Sequence, residues 1–172
     1  MDKVRDIILQ VEDLKQDKKF EEAIKLIEQN LGSYSEDYRL YEELSDIFLY
    51  KGHLDKALKA INFSLELNQN SATGNYLKGF ILLSKDKVTE AIEFLKKSNQ
   101  LIGNNSEVLR NLGWAYTLAG ESEKGISILK RALNLSPGDE LITEDLGMAL
   151  IGAGEINEGN TLLKKIGKKT KA

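Results

Sequence analysis

The chain is predicted to fold as an all-α, helical-hairpin solenoid of about ten helices, and three observations lead there. A 34-residue period holds register through blocks beginning at Val4, Tyr38, Ala72, Ser106 and Glu140. Fixed columns of those blocks hold fixed sizes of residue. Column 20 is small throughout (Ala23, Ala57, Ala91, Gly125, Gly159), and column 24 is always a large aliphatic (Ile27, Ile61, Leu95, Leu129, Leu163). Column 11 is large and apolar in every block (Leu14, Phe48, Leu82, Tyr116, Leu150), and column 8 is small in all but the first (Ser45, Gly79, Gly113, Gly147). The third observation is negative: one proline in 172 residues, and no segment with strand alternation. A period of this length marks stacked supersecondary units, each burying its apolar face on the next.

The elements follow in order. Each block carries apolar residues at helical spacing in two runs of 12 to 14 residues. Residues 4–37 give a first pair of helices, the second packing through Ala23, Ile27 and Leu31. Residues 38–71 break at Gly52, residues 72–105 at Asp86, residues 106–139 at Gly120 and residues 140–167 at Gly154. Polar loops with cap-forming residues, such as Asn104-Asn105-Ser106 and Ser136-Pro137, separate the blocks. A lysine-rich tail, 168–172, ends the chain. Helices of roughly 20 Å are marginal alone in water, so each must be held by its neighbours. Small residues at columns 8 and 20 let paired helices approach closely.

The fourth block displays the pattern best: Leu109, Leu112-Gly113, Tyr116, Gly120, Ala132 and Pro137. These columns resemble the tetratricopeptide repeat (TPR) family over residues 4 to about 167. Departures are Asn75 and Thr143 at the large residue of column 4, and Gln10 and Lys78 at the leucine of column 7. The resemblance implies a right-handed superhelix whose first helices line a concave groove. Carried over column by column, that groove includes Glu42, Glu43 and Asp46 in block two, and Tyr76 and Phe80 in block three. Block four adds Arg110, Asn111, Trp114 and Leu118, and block five Glu144, Asp145 and Met148. Over the whole map, which also takes in Arg5, Leu9, Glu12, Lys15, Tyr50 and Leu141, seven acids stand against four bases. Trp114, the single tryptophan, is displaced from the packing column toward the groove, where aromatic side chains often anchor a partner. The expected ligand is a segment of another protein with apolar anchors and basic residues. The basic clamp of the chaperone-adaptor branch is missing, since Asn111 alone fits it.

Composition narrows the alternatives. Net charge is −3 and 20 of 24 basic residues are lysine, unlike a nucleic-acid binder with an arginine-rich face. The run Lys164, Lys165, Lys168, Lys169 and Lys171 reads as a solvated helix end favoured by the helix dipole. The absence of cysteine removes disulfides and thiolate metal sites, and one histidine, His53, cannot make a multi-histidine site. The glycines of Gly120-Glu121-Ser122-Glu123-Lys124-Gly125 imitate a phosphate loop, but Ile126 and Ser127 follow where lysine and a hydroxyl are needed. Acidic pairs such as Glu21-Glu22, Glu42-Glu43 and Glu144-Asp145 point about 100° apart and are expected to face solvent. The N-terminus lacks a signal-like apolar run and nothing approaches a membrane span, so a cytoplasmic protein is expected. No catalytic, cofactor or metal site is expected. The reading is a non-enzymatic interaction scaffold, with self-association through end repeats or groove as the first alternative and a nucleic-acid-binding helical solenoid as the second.

Overall fold

The computed structural model describes residues 2–168, so the tail beyond Lys168, with Lys169 and Lys171, lies outside the described residues. Ten helices account for most of it: α1 Lys3–Gln16, α2 Phe20–Leu31, α3 Tyr38–Tyr50, α4 Leu54–Leu67 and α5 Ala72–Ser84, then α6 Val88–Ile102, α7 Ser106–Leu118, α8 Ser122–Leu135, α9 Glu140–Gly152 and α10 Ile156–Lys165. Among the described residues there is no strand. Helices α3, α5, α7 and α9 begin on the first residue of their blocks. The chain divides into two compact units, one ending at Lys85 and one beginning at Asp86.

Two devices recur at the helix ends. Helices that open a block are capped by a side chain: Asp37, Ser71, Asn105 and Asp139 each accept a backbone N–H from the first turn that follows. Asp2 does the same for α1. Second helices have no such cap. They follow instead a left-handed residue at column 15, where Lys18, Gly52, Asp86, Gly120 and Gly154 all have positive φ. The N–H of His53 then reaches back to the carbonyl of Phe48 (2.8 Å), and that of Gly52 to Leu49 (2.9 Å). This is the 6→1 and 5→2 pairing that closes a helix C-terminus. The same bond runs from Lys19 to Leu14, Glu121 to Tyr116 and Glu155 to Leu150. Column 11 thus supplies both an apolar packing side chain and the carbonyl that ends its helix.

In the first unit, Val4, Ile7, Val11, Ala23, Ile27, Leu40 and Ile47 form one core, and Ala57, Ile61, Leu77 and Ile81 another. Column 8 meets column 20 in the α3–α4 pair, where the Ser45 hydroxyl donates to the Ala57 carbonyl (3.0 Å). In the second unit, Ile126, Leu129, Leu146, Ala149 and Leu150 pack together, as do Leu109, Ala132 and Ile142. Here both columns are glycine and the backbones come closer still. A Cβ on Gly125 would stand 2.7 Å from the Gly113 carbonyl oxygen, and one on Gly159 would stand 2.6 Å from that of Gly147. The glycines of the imitation phosphate loop are thereby explained as a turn and a helix crossing. The polar residues at column 4 are buried and donate to backbone, Asn75 to the Ser71 and Gln69 carbonyls and Thr143 to Asp139, although the Asn75 side-chain oxygen meets no donor.

Candidate functional site

The candidate surface is the face of the first helices, taken unit by unit. In the first unit its charges are largely satisfied within the protein. Lys15 on α1 reaches α3, pairing with Glu43 (2.8 Å) and with Asp46. Burial opposes the charged ammonium, yet its hydrogen bonds to Asp46 and Glu43 hold the Lys15 pKa above its ordinary value. Arg39 bridges two caps, bonding Asp37 beside it and Asp2 at the start of α1. Tyr76 and Phe80, one turn apart on α5, are half-buried with ring centroids 6.4 Å apart. Leu9 and Tyr50 are exposed on α1 and α3.

Glu42 departs from expectation. Only 7% of it is exposed, and its carboxylate accepts a hydrogen bond from the Ser71 hydroxyl, the cap of α5. A Cβ at Gly74 would lie 2.9 Å from Glu42 Oε1, so a larger residue there would push the carboxylate aside. Burial pushes the Glu42 pKa up to about 6, against the pull of the Ser71 hydrogen bond and with help from the neighbouring Glu43 charge. Glu42 joins α3 to the N-terminus of α5, so it is a structural carboxylate and not a free groove acid. The expectation that the Glu42-Glu43 pair faces solvent fails for both members. Glu21-Glu22 is exposed as expected.

In the second unit, Arg110 on α7 stands 3.8 Å from Asp145 on α9. Burial raises Asp145 to about 6; Arg110 draws it down, while Glu144 and Asp139 push it up. Glu144 pairs with Lys168 (3.2 Å). The Glu144-Asp145 pair is therefore not simply solvated either. Asn111, expected to face a partner, is buried and donates to the Glu107 carbonyl of its own helix (3.0 Å). Apolar residues occupy the rest of this face: Leu118 is 51% exposed and Leu141 58%, with Trp114 and Met148 half-buried. Of the mapped apolar residues, Leu118 is exposed and Tyr76, Phe80, Trp114 and Met148 are half-buried, whereas several of the mapped charges are already paired within the protein. Ion pairs between blocks, such as Lys15 with Asp46, leave no mark in a column pattern.

Among the described residues, no group of three or more histidines or carboxylates is placed to hold a metal ion. No helix among them is long and apolar enough to cross a membrane.

Comparison with known proteins agrees with this architecture. Residues 106–139, the fourth block to the residue, match the tetratricopeptide repeat model. The BBSome complex member BBS4 of Bos taurus is 29% identical over 106 residues, which is 62% of this chain and 20% of that protein. The chain thus spans about a fifth of that curated relative's length. Among solved structures, PilW, described as a widely conserved type IV pilus biogenesis factor, superposes with a TM-score of 0.87 at 18% identity, covering 96% of this chain and 76% of that one. YrrB, described as a TPR protein with an unusual peptide-binding site, superposes at 0.74 and 16% identity, covering 92% and 82%. The fold is the all-α helical-hairpin solenoid expected from the columns, and its fourth block matches the tetratricopeptide repeat model.

Proposed function

We propose that this chain is a non-enzymatic scaffold that takes a segment of another protein on the faces of its first helices. The observation that carries the reading is the set of apolar side chains that the second unit leaves in water. Leu118 and Leu141 are more than half exposed on α7 and α9, beside half-buried Trp114 and Met148. Large apolar side chains left in water on one face mark an interaction surface, and an aromatic among them is the usual energetic centre. Tyr76 and Phe80 offer a comparable pair on α5 of the first unit. The peptide-binding site named for YrrB, on a similar fold, is consistent with this use.

The charges modify the partner's description. Glu43, Asp46, Glu144 and Asp145 are already paired with Lys15, Lys168 or Arg110, and Glu42 is buried. Affinity then comes mainly from apolar anchors. A basic residue of the partner competes for carboxylates that already have cations, and contributes orientation and on-rate more than affinity. Trp114→Ala combined with Met148→Ala, both in the second unit, is expected to abolish partner capture, read by affinity enrichment and mass spectrometry, while the helical melt stays near that of the parent. A partner retained at parental affinity by the double variant would move the binding site off this surface.

A further inference from the structure

A second candidate site lies on the opposite side of α3. At 100° per residue, Tyr41, Leu44 and Phe48 point nearly opposite to Glu43, Asp46 and Tyr50. They form one wall of a cavity of about 760 Å³ whose other wall is α4, with Lys56, Lys59, Ala60, Asn62, Phe63 and Glu66. Pockets of several hundred Å³ with apolar walls and a few polar groups are the usual form of a binding site. Tyr41 and Phe63 meet edge to face with ring centroids 4.6 Å apart, yet Phe63 remains 42% exposed. A second hollow of about 450 Å³ continues from it between α2 and α4, sharing Phe48 and Lys56.

The charges around this furrow indicate its occupant. Lys56 and Lys59 stand one turn apart at one end of the cavity, and Glu66 lies two turns further along α4. Lys56 places its ammonium 5.5 Å from the Phe48 ring centroid. Glu21 pairs with Lys51 and Asp55 with Lys85 (2.7 Å), while Glu28 lines the second hollow beside Lys56. Among the described residues, Lys56 and Lys59 close no ion pair. Asn62 lines the same cavity and keeps its side-chain carbonyl oxygen buried with no donor. The site thus combines an apolar slot, two cations without a carboxylate partner at one end and an unserved acceptor.

We infer that the α3–α4 cavity docks a protein segment in which an aromatic or large aliphatic residue is followed by acidic residues. The anchor fills the slot between Phe48 and Phe63, and the acids meet Lys56 and Lys59. This chemistry is opposite in charge to the ligand proposed for the first-helix face, so the two sites stand or fall separately.

The test uses the full chain, labelled for amide NMR, and two short probe peptides: phenylalanine followed by two glutamates, and phenylalanine followed by two lysines. The glutamate probe is expected to shift amides of α3 and α4 around the cavity saturably, and to bind at least about tenfold more tightly than the lysine probe. Lys56→Glu with Lys59→Glu, both exposed and so compatible with the fold, is expected to remove that preference. Phe63→Ala should weaken the glutamate probe, and Trp114→Ala should leave it unchanged. Equal affinity for both probes, shifts confined to other helices, absence of any saturable shift, or undiminished binding to the double lysine variant would each overturn the inference. Shifts of the same amides on raising the chain's own concentration, without a probe, would assign the cavity to a second copy and overturn it too.

Discussion

Gly125→Ala is expected to destabilise the second unit by about 2–3 kcal/mol, although alanine is the better helix former by about 1 kcal/mol. The new Cβ would sit 2.3 Å from Thr117 Oγ1, 2.7 Å from the Gly113 carbonyl oxygen and 2.9 Å from the Thr117 amide nitrogen. Two of those three are backbone atoms and cannot turn aside, so α7 and α8 must separate along their contact. The midpoint of thermal melting followed by circular dichroism should fall by about 5–10 °C. Gly152→Ala is the internal control. It lies in the last turn of α9, where an added methyl would meet nothing within 4 Å, and its φ is not positive. That substitution is expected to be neutral or to stabilise by about 0.5 kcal/mol. If the two glycines respond alike, column 20 is not where the helices cross.

Glu42→Lys is expected to cost about 3 kcal/mol or more, because it buries a cation against the Ser71 hydroxyl and the N-terminal turn of α5, where the helix dipole also opposes it. The native carboxyl carries its own signature. Its folded pKa of about 6 exceeds the ordinary 4.5, so the folded state binds the proton more tightly than the unfolded chain. Stability contributed by Glu42 is therefore greatest below pH 4.5 and falls as pH rises through 6, a change of roughly 2 kcal/mol. Asp145, raised from 3.8 to about 6, acts with the same sign. Paired carboxylates held low, such as Asp37 beside Arg39, act in the opposite direction. The decisive quantity is the difference between chains: Glu42→Gln should be more stable than the parent at pH 7 and should gain less on acidification to pH 5. Parallel stability–pH curves for the two would contradict a buried Glu42.

Gly125 and Glu42 mark the two extremes of what the sequence reveals. Gly125 is legible because column 20 demands a small residue in every block, and size at a fixed period is a direct imprint of helix contact. The turn at column 15 is legible at Gly52, Gly120 and Gly154 but not at Lys18, whose left-handed backbone carries no glycine to announce it. Glu42 is illegible because its burial depends on Ser71 and Gly74, a hydroxyl and a bare backbone close to the block boundary that follows. Its column holds Ile8, Tyr76, Arg110 and Glu144 elsewhere, so no recurrence marks it. The mapped apolar residues keep some exposure, whereas the mapped charges are largely paired within the protein. Hydrophobic position follows from helical period alone, whereas a carboxylate's availability depends on which lysine or arginine reaches it across the repeat.

Occupation of the first-helix face by a protein segment can be read directly from Trp114, the single tryptophan. A captured partner segment lacking tryptophan is titrated into the chain while Trp114 emission is recorded. Burial of a half-exposed indole under the ligand predicts a saturable blue shift, whose midpoint matches the affinity measured independently by calorimetry and which disappears in Trp114→Phe. Saturable binding by calorimetry with unchanged Trp114 emission would contradict occupation of this face.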